Sequence, residues 1–309
     1  MTPSSAATMA ATALLGLLPI AGLPPYYLHL LATAFLLAAL ASAWSLLAWG
    51  GLVSFGQAAF FGVGAYAAAL AATHDVPSWA ALALGAAAGA AAGALVSLTA
   101  LRLSGAPLAL ATLACAEIGR GIALNCERLT GGGAGLVGIP ALPGPSGTPR
   151  AVAYYLALVL VGVALSTFGW MARSRMGLAL AAIRDDSERA SLLGVSPASW
   201  KLAAFALSGA LTGAAGGLYA YMVRVVEPDL VFSPWYSLAP LIMATLGGPR
   251  TTLGPAAAAV GLYLASEIVF HPLAPALHHS IYAIALIAAV LFLPGGLGGI
   301  VGRRRRAAP

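Results

Sequence analysis

Ten mostly apolar runs dominate this 309-residue sequence and constrain its fold more than any other feature. A helix needs ~20 apolar residues to cross the ~30 Å hydrocarbon core of a bilayer. Only 8% of the residues are charged, against about a quarter in soluble domains, so a soluble enzyme is excluded. The pattern predicts an all-α polytopic membrane protein, one transmembrane domain over 1–309. About ten transmembrane segments, some broken or short, are expected at 6–23, 26–49, 52–73, 78–101, 104–126, 150–171, 202–223, 231–248, 252–270 and 280–293.

The basic residues predict how these segments are oriented. The connection 172–201 carries five of them, and cytoplasmic loops carry an excess of Lys and Arg. The tail 294–309 holds four consecutive arginines at 303–306, which is typical of a cytoplasmic anchor on anionic lipid rather than of nucleic-acid binding. Four predicted segments lie between the connection 172–201 and the tail, and an even number of crossings returns the chain to the same side of the membrane. Both termini are therefore predicted to be cytoplasmic, and the Gly-rich loop 127–149 periplasmic.

Two segments carry glycine at every fourth position. Small residues let transmembrane helices approach closely, because lipid provides little hydrophobic force between helices. The spacing predicts two interior helices, although a general excess of Ala and Gly would produce small residues everywhere. The glycines are Gly85, Gly89 and Gly93 in one segment and Gly209, Gly213 and Gly217 in the other.

The segment 52–73 is rich in glycine and also polar. Gly51, Gly56, Gly62 and Gly64 surround Ser54 and Gln57, and each glycine weakens a helix by about 1 kcal/mol relative to alanine. The pattern predicts a broken or kinked helix. Broken membrane helices are tolerated where they line a cavity or are buried in protein, so Ser54 and Gln57 are candidates for a translocation path.

Glu117 and Arg120 are ionisable residues inside an apolar segment, three positions apart. Such residues cost ~2.5 kcal/mol or more at the bilayer centre, and their spacing predicts that they pair on a helix. The pair is either part of a translocation path or gate, or a structural pair that fixes the helix orientation.

The loop 127–149 begins ERLTGGGAGLVGIP. Its glycines, with Thr130, Gly131 and Gly132 at the start, indicate close approach to a partner or to a substrate entrance. A plain flexible linker is the alternative.

Catalytic motifs are missing from the sequence. The single lysine, Lys201, follows Trp200, so there is no GxxxxGK[ST] phosphate loop and no ATP hydrolysis by this chain is expected. No catalytic, metal-ligating or cofactor-binding residue is predicted. His271, His278 and His279 are interpreted as loop residues, and Cys115 and Cys126 as packing residues.

In the connection 172–201, the residues from Gly177 to Leu193 favour a helix. Gly194, Ser196 and Pro197 then indicate the end of that helix and the start of the next one. Its charges give the helix a polar face. The opposite face of the helix is predicted to dock on a soluble subunit or, as the alternative, to contact the membrane surface. The residues proposed for coupling to such a subunit are Arg184, Asp185, Asp186, Glu188, Ala190 and Gly194.

This connection resembles the coupling loop of ATP-binding cassette importers, whose pattern is Glu-Ala-Ala, three residues, then Gly. Glu188, Ala190 and Gly194 match that pattern, and Arg189 stands at its middle position. Four stretches between about residues 45 and 270 resemble the LivM-type permeases of branched-chain amino-acid importers. They include GLVSFGQAAFFGVGAYAAAL and LIMATLGGPRTTLGPAAAAVGLYLASE.

The resemblance implies a permease in a bacterial inner membrane. It implies a homologous second permease subunit, two ATPase subunits and a periplasmic substrate-binding protein as partners. Members commonly have His where this chain has Gln57, and a polar or acidic residue at the positions of Gly133 and Ala134. Import of urea or a short-chain amide therefore remains an alternative. From another class, so does an ion-coupled secondary transporter acting alone, with Glu117 and Arg120 as its relay.

Overall fold

The computed structural model describes residues 24–143 and 149–270. The predicted segments 6–23 and 280–293, the tail 294–309 and the three loop histidines lie outside these residues. Twelve α-helices occur in the described ranges: α1 Pro25–Trp49, α2 Gln57–Thr73, α3 Ser78–Ala100, α4 Gly105–Asn125, α5 Glu127–Thr130, α6 Pro149–Arg173, α7 Arg175–Asp185, α8 Ser187–Leu192, α9 Pro197–Val223, α10 Pro228–Val231, α11 Trp235–Gly247 and α12 Gly254–Ala265.

Two short turns and two short strands complete the described fold. A 3₁₀ turn covers Gly132–Ala134, and a π-helical turn, Ser266–Phe270, continues α12. Strands β1, Leu136–Val137, and β2, Val225–Val226, form a two-stranded antiparallel sheet. Four helices, among them α6 and α9, begin with a proline, which is favoured in the first turn because its missing N–H would have no helical partner there.

Six helical stretches are long and apolar enough to cross a membrane: α1, α3, α4, α6, α9 and the α10–α11 stretch Pro228–Gly247. The predicted all-α polytopic membrane class is confirmed. Of the remaining predicted segments in the described residues, 52–73 is represented by the 17-residue α2. The segment 252–270 is represented by the 12-residue α12 and its π-helical turn.

Helix α1 is the core of the bundle. It contacts α6, α9, α11 and α12, and 89% of its most apolar window is buried. Its sequence explains this position, because α1 carries no Asp, Glu, Lys or Arg and a helix that is apolar all round is typically buried.

The glycine-bearing helices α3 and α9 pack against each other more extensively than any other pair of elements in the described residues. A methyl group built on Gly89 would overlap the backbone of Gly209, and one built on Gly213 would overlap the backbone of Gly85. Gly217 faces Leu82 and Ala68 instead. The two backbones are therefore in direct contact along a row of glycines.

The prediction that both glycine-bearing helices are interior is wrong for α3. Helix α9 is interior, but only a third of the most apolar window of α3 is buried. Its buried face is the glycine row, and its other face exposes large apolar side chains such as Trp79 and Leu95. Glycine spacing thus located a contact face correctly, but it did not indicate how many neighbours a helix has.

The connections between helices gather at two ends of the bundle. At the α7–α8 end, Trp49 contacts Gly177 and the Lys201 ammonium donates to the carbonyl of Ala100 at 2.8 Å. The opposite, β1–β2 end holds the small sheet and the start of α1. Seven of the eleven described basic residues belong to the α7–α8 end: Arg102, Arg173, Arg175, Arg184, Arg189, Lys201 and Arg250.

Candidate coupling surface and translocation site

The predicted coupling helix is two helices. Instead of one run from Gly177 to Leu193, α7 ends at Asp185 and α8 begins at Ser187. Asp186 between them has an extended backbone, and its carboxylate accepts hydrogen bonds from the N–H groups of Glu188 and Arg189, both at 3.0 Å. An aspartate that caps a new helix competes with continuation of the preceding one, and this is why the run breaks.

Helix α7 is fastened to the end of α1. The indole N–H of Trp49 donates to the carbonyl of Gly177 at 3.0 Å, and the Arg184 guanidinium donates to the carbonyl of Trp49 at 3.4 Å. The fully buried Leu180 packs against Gly50. Arg184 also lies against Gly51, which has a φ of +72°, a backbone conformation that favours glycine. A displacement of α7 would therefore act directly on the end of α1.

The opposite face of these two helices has no neighbour in the described part of the chain. Leu192 is 86% exposed and Leu193 83% exposed. Two adjacent leucines with this degree of exposure at the end of a helix form an apolar contact surface. We call Leu192 and Leu193 the leucine step.

Charged side chains of α7 and α8 precede the leucine step in the chain. Arg184 pairs with Asp185 at 2.9 Å and Arg189 with Asp186 at 3.0 Å, and Glu188 is exposed. Asp185, Glu188 and Arg189 are exposed and therefore available to a partner, whereas Arg184 is held against the end of α1. Ala190 is buried, and Gly194 has a φ of +83°, the left-handed conformation that commonly terminates a helix.

A non-helical stretch precedes α2, where the glycine pattern predicted a broken or kinked helix, and α2 itself continues unbroken through Gly62 and Gly64. The break leads to a buried polar cluster around Gln57, which is fully buried. Its amide nitrogen donates to the Ser208 hydroxyl at 3.1 Å, and its amide oxygen accepts from Thr212 at 2.9 Å. The Ser208 hydroxyl in turn donates to the carbonyl of Ala43 at 2.8 Å. Gln57 and Ser208 thereby link α2, α9 and α1 near the middle of the bundle.

Other polar side chains satisfy the freed backbone of the break. The Thr112 hydroxyl accepts from the N–H of Phe55 at 2.9 Å, and the Ser237 hydroxyl accepts from the N–H of Ala58 at 3.0 Å. The carbonyl of Ser54 accepts from the Trp44 indole at 2.8 Å. Sequence reasoning missed Thr112, Ser208, Thr212 and Ser237, although isolated hydroxyls in apolar helices were an available signal.

Glu117 and Arg120 pair as predicted and are joined by a third residue. The Arg120 guanidinium donates from Nε to Glu117 and from Nη1 to Asp229, both at 2.9 Å. Asp229 lies on α10, so the group joins two elements distant in sequence. The three side chains are 38–72% exposed. We call these residues the ion triad.

The described part of the Gly-rich loop, residues 127–143, contains a helical turn, a 3₁₀ turn and a strand. Thr130 is buried, and its hydroxyl donates towards the carbonyls of Ala123 at 2.5 Å and Cys126 at 2.8 Å. Gly131 and Gly132 have φ values of +75° and +60°. The loop then pairs β1 with β2. Its glycines thus approach other parts of this same chain closely.

Phe232, the residue that follows α10, fills a notch between α2 and α4. Its ring lies directly against the α-carbons of Gly62 and Gly119 and stacks on Tyr66 at 6.2 Å between ring centroids. The Tyr66 hydroxyl is buried without a hydrogen-bond partner among residues 24–143 and 149–270. An unpaired buried hydroxyl costs about 1–3 kcal/mol.

We expect Tyr66→Phe to leave transport unchanged and to leave stability equal or slightly higher, because the substitution removes only the unpaired hydroxyl. Thermal unfolding of the purified protein in detergent, with ATP-dependent uptake beside it, measures both. Phe61→Leu, a change of a fully buried ring on the same helix, is the matched control and lowers stability. A large loss of uptake in Tyr66→Phe would show instead that the hydroxyl binds a ligand.

Within the described ranges, no group of three or more His, Cys, Asp or Glu residues is placed to hold a metal ion. Of the predicted site residues, Ser54 and Gln57 lie together at the break. The ion triad and the Gly-rich loop lie nearer the β1–β2 end. The predicted coupling residues lie at the opposite end of the bundle.

Comparison with known sequences defines the class of this protein. Residues 26–291 match the family model described as the permease component of branched-chain amino acid transport systems. The match covers most of the chain, so the chain belongs to this permease family, and it is a multi-pass membrane protein.

Two curated relatives are the high-affinity branched-chain amino acid transport system permease proteins LivM of Salmonella typhimurium and Escherichia coli. Each is 32% identical to this chain, over 246 and 245 residues, or 71% of the chain. The alignment spans only 57% of each relative's own length. No solved structure matches this chain.

Proposed function

We propose that this chain is the membrane-spanning permease subunit of an ATP-driven importer of branched-chain amino acids in a bacterial inner membrane. Family membership is the observation that carries the proposal. Its partners are a homologous second permease subunit, two ATPase subunits and a periplasmic substrate-binding protein. Membership in a permease family, together with a sequence that has no phosphate loop, supports hydrolysis of ATP on separate subunits.

The α7–α8 end is proposed to face the cytoplasm. The excess of basic residues at that end supports this orientation. With this orientation, the ten predicted segments would place both termini, the coupling loop 172–201 and the basic tail 294–309 in the cytoplasm. The loop 127–149 would lie in the periplasm.

The contacts of α7 supply a path for force. An ATPase subunit bound at the leucine step would move α7, and Trp49 and Arg184 would pass that movement to the end of α1. The stretch after Gly50 is not helical, so it can change its backbone angles without breaking helical hydrogen bonds. The movement would then reach the buried cluster at Gln57. Closure of the ATPase subunits is proposed to shift the permease between outward-facing and inward-facing states by this path.

Ser54, Gln57, the ion triad and the Thr130–Gly132 turn remain the proposed translocation-path residues. The clustering of Ser54 and Gln57 at a helix break in the middle of the bundle supports their assignment. The position of the ion triad near the β1–β2 end supports the assignment of the triad.

ATP-dependent uptake tests the function directly. The complete complex is reconstituted into vesicles with the binding protein, and uptake of radiolabelled leucine is measured with ATP, without ATP and without the ATPase subunits. We expect uptake only when both ATP and the ATPase subunits are present. Uptake that persists without nucleotide, or that follows an imposed proton or sodium gradient, would contradict the proposal. Competition by unlabelled isoleucine, valine and urea distinguishes amino-acid from amide import.

A further inference from the structure

Helix α4 is the least buried of the six long helical stretches, with only 28% of its most apolar window covered. The uncovered side carries Leu110, Ala114, Glu117, Ile118 and Ile122, with the partly covered Gly121 beside them. We call this side the α4 face. It differs from the uncovered side of α6, which exposes Val159, Val163 and Trp170, because the α4 face includes the acidic residue Glu117.

Glu117 lies at the depth of the hydrocarbon core. Thr112 binds the helix break near the middle of the bundle, and Glu117 follows it by five residues, or ~7.5 Å along a helix. Glu117 also lies eight residues, or ~12 Å, before the end of α4 at Asn125. The hydrocarbon core extends ~15 Å on either side of its centre. Glu117 is therefore well inside this layer.

Lipid is a poor neighbour for Glu117 at this depth. Its side chain is 44% exposed, and charged groups in contact with hydrocarbon cost several kcal/mol. Ionisable residues in membranes face protein or a water-filled cavity. Protein or water, and not lipid, must therefore lie against Glu117.

We infer that the α4 face is the contact surface for a transmembrane helix of a different membrane subunit, which presents a basic side chain at the depth of the ion triad. This inference rests on the proposed function, which supplies a second permease-type subunit. It identifies the helix of this chain that meets that subunit and the charge that the subunit must carry.

The shape of the α4 face suits a helix. Ala114 and Gly121 are seven residues apart on one side of α4, and a methyl group built on Gly121 would meet no atom within 4 Å. Small residues such as these let the backbone of a neighbouring transmembrane helix approach closely.

The charge of the α4 face argues against a second copy of this chain. The ion triad has two carboxylates and one guanidinium, so it carries a net charge of −1. A two-fold dimer places the same patch on both sides of the interface, and two negative patches would then repel each other at low dielectric constant. A subunit that offers Lys or Arg here completes the charge balance.

Spin labels at two lipid-depth positions test the inference. Cys115 and Cys126 are first replaced by Ala. A nitroxide is then attached at Ala114→Cys on the α4 face, or at Val163→Cys on α6 as the matched control. Oxygen, which concentrates in hydrocarbon, broadens the nitroxide signal where a label meets lipid. In vesicles that hold this chain alone, we expect both labels to be broadened.

In the complete complex we expect the label at position 114 to lose its oxygen broadening and become immobilised, while the label at 163 keeps its broadening. Broadening that persists at 114 in the complex would overturn the inference. Immobilisation at 114 in vesicles that hold only this chain, rising with its density, would overturn it in favour of a second copy. ATP-dependent uptake by the same vesicles keeps the two proposals separate. Uptake together with a broadened label at 114 refutes only the inference, and absent uptake refutes the function.

Charge reversal tests the basic side chain of the partner. Glu117→Lys should cause the second permease subunit to be lost when this chain is purified by an affinity tag. Glu127→Lys, at an exposed acidic residue outside the α4 face, should leave co-purification intact. Equal retention of the second subunit by both variants, with both chains folded, would contradict the charge assignment.

Discussion

Replacing both leucines of the leucine step by aspartate is expected to abolish ATP-dependent uptake while leaving the permease folded. Leu192 and Leu193 are more than four-fifths exposed, so they contribute little to the fold, and surface substitutions usually change stability by less than about 0.5 kcal/mol. In a docked complex the same side chains would be buried by the ATPase subunit. Loss of such apolar anchors costs about 2 kcal/mol or more, roughly a thirtyfold fall in affinity.

The measurement is retention of the ATPase subunits on tagged permease, followed by uptake in vesicles. Leu129→Asp is the control, because Leu129 is also exposed but lies on α5 at the opposite end of the bundle. We expect the control to retain the ATPase subunits and the double variant to lose them. Full retention and transport in the double variant would show that α8 is not the docking surface.

Gly213→Ala is expected to destabilise the protein strongly by forcing a methyl group into the α3–α9 contact. The added methyl group would overlap the Gly85 carbonyl and the Gly89 α-carbon. Both are backbone atoms, which cannot rotate aside as a side chain can. Insertion of a methyl group into a tightly packed interior costs about 1–3 kcal/mol and occasionally more. Here the helices would have to separate along their length.

Gly162→Ala on α6 is the matched control, since a methyl group there meets nothing within 4 Å and alanine favours helix more than glycine does. Thermal unfolding in detergent should show a clearly lowered midpoint for Gly213→Ala and an unchanged or slightly raised one for Gly162→Ala. Equal midpoints would mean that the α3–α9 contact is not a backbone contact.

Much of the architecture could be predicted from sequence because a bilayer leaves few choices. Apolar length identified the longer helices in the described residues, and the dense glycines indicated an irregular backbone near the start of α2. Periodicity in α3 and α9 identified the faces that meet. These features depend on local sequence, which a single chain displays directly.

Features that depend on contacts between distant residues could not be predicted. Asp229 completes the ion triad from α10, 109 residues beyond Arg120, and no spacing rule connects them. Ser208 and Thr212 bind Gln57 from α9 for the same reason. The break at Asp186 was missed for a different reason. The residues on either side favour a helix, so one continuous helix was predicted and the capping role of Asp186 was not recognised.

The orientation of the α7–α8 end is the point on which the proposed coupling depends, and cysteine labelling measures it directly. With Cys115 replaced by Ala, one variant keeps the native Cys126, which is exposed at the β1–β2 end. A second replaces Cys126 as well and carries Ser191→Cys on α8. Intact cells are treated with a membrane-impermeant maleimide before and after permeabilisation. The proposed orientation predicts that Cys126 reacts in intact cells and that the thiol at position 191 reacts only after permeabilisation. Labelling of position 191 in intact cells would place the leucine step outside and contradict the coupling scheme.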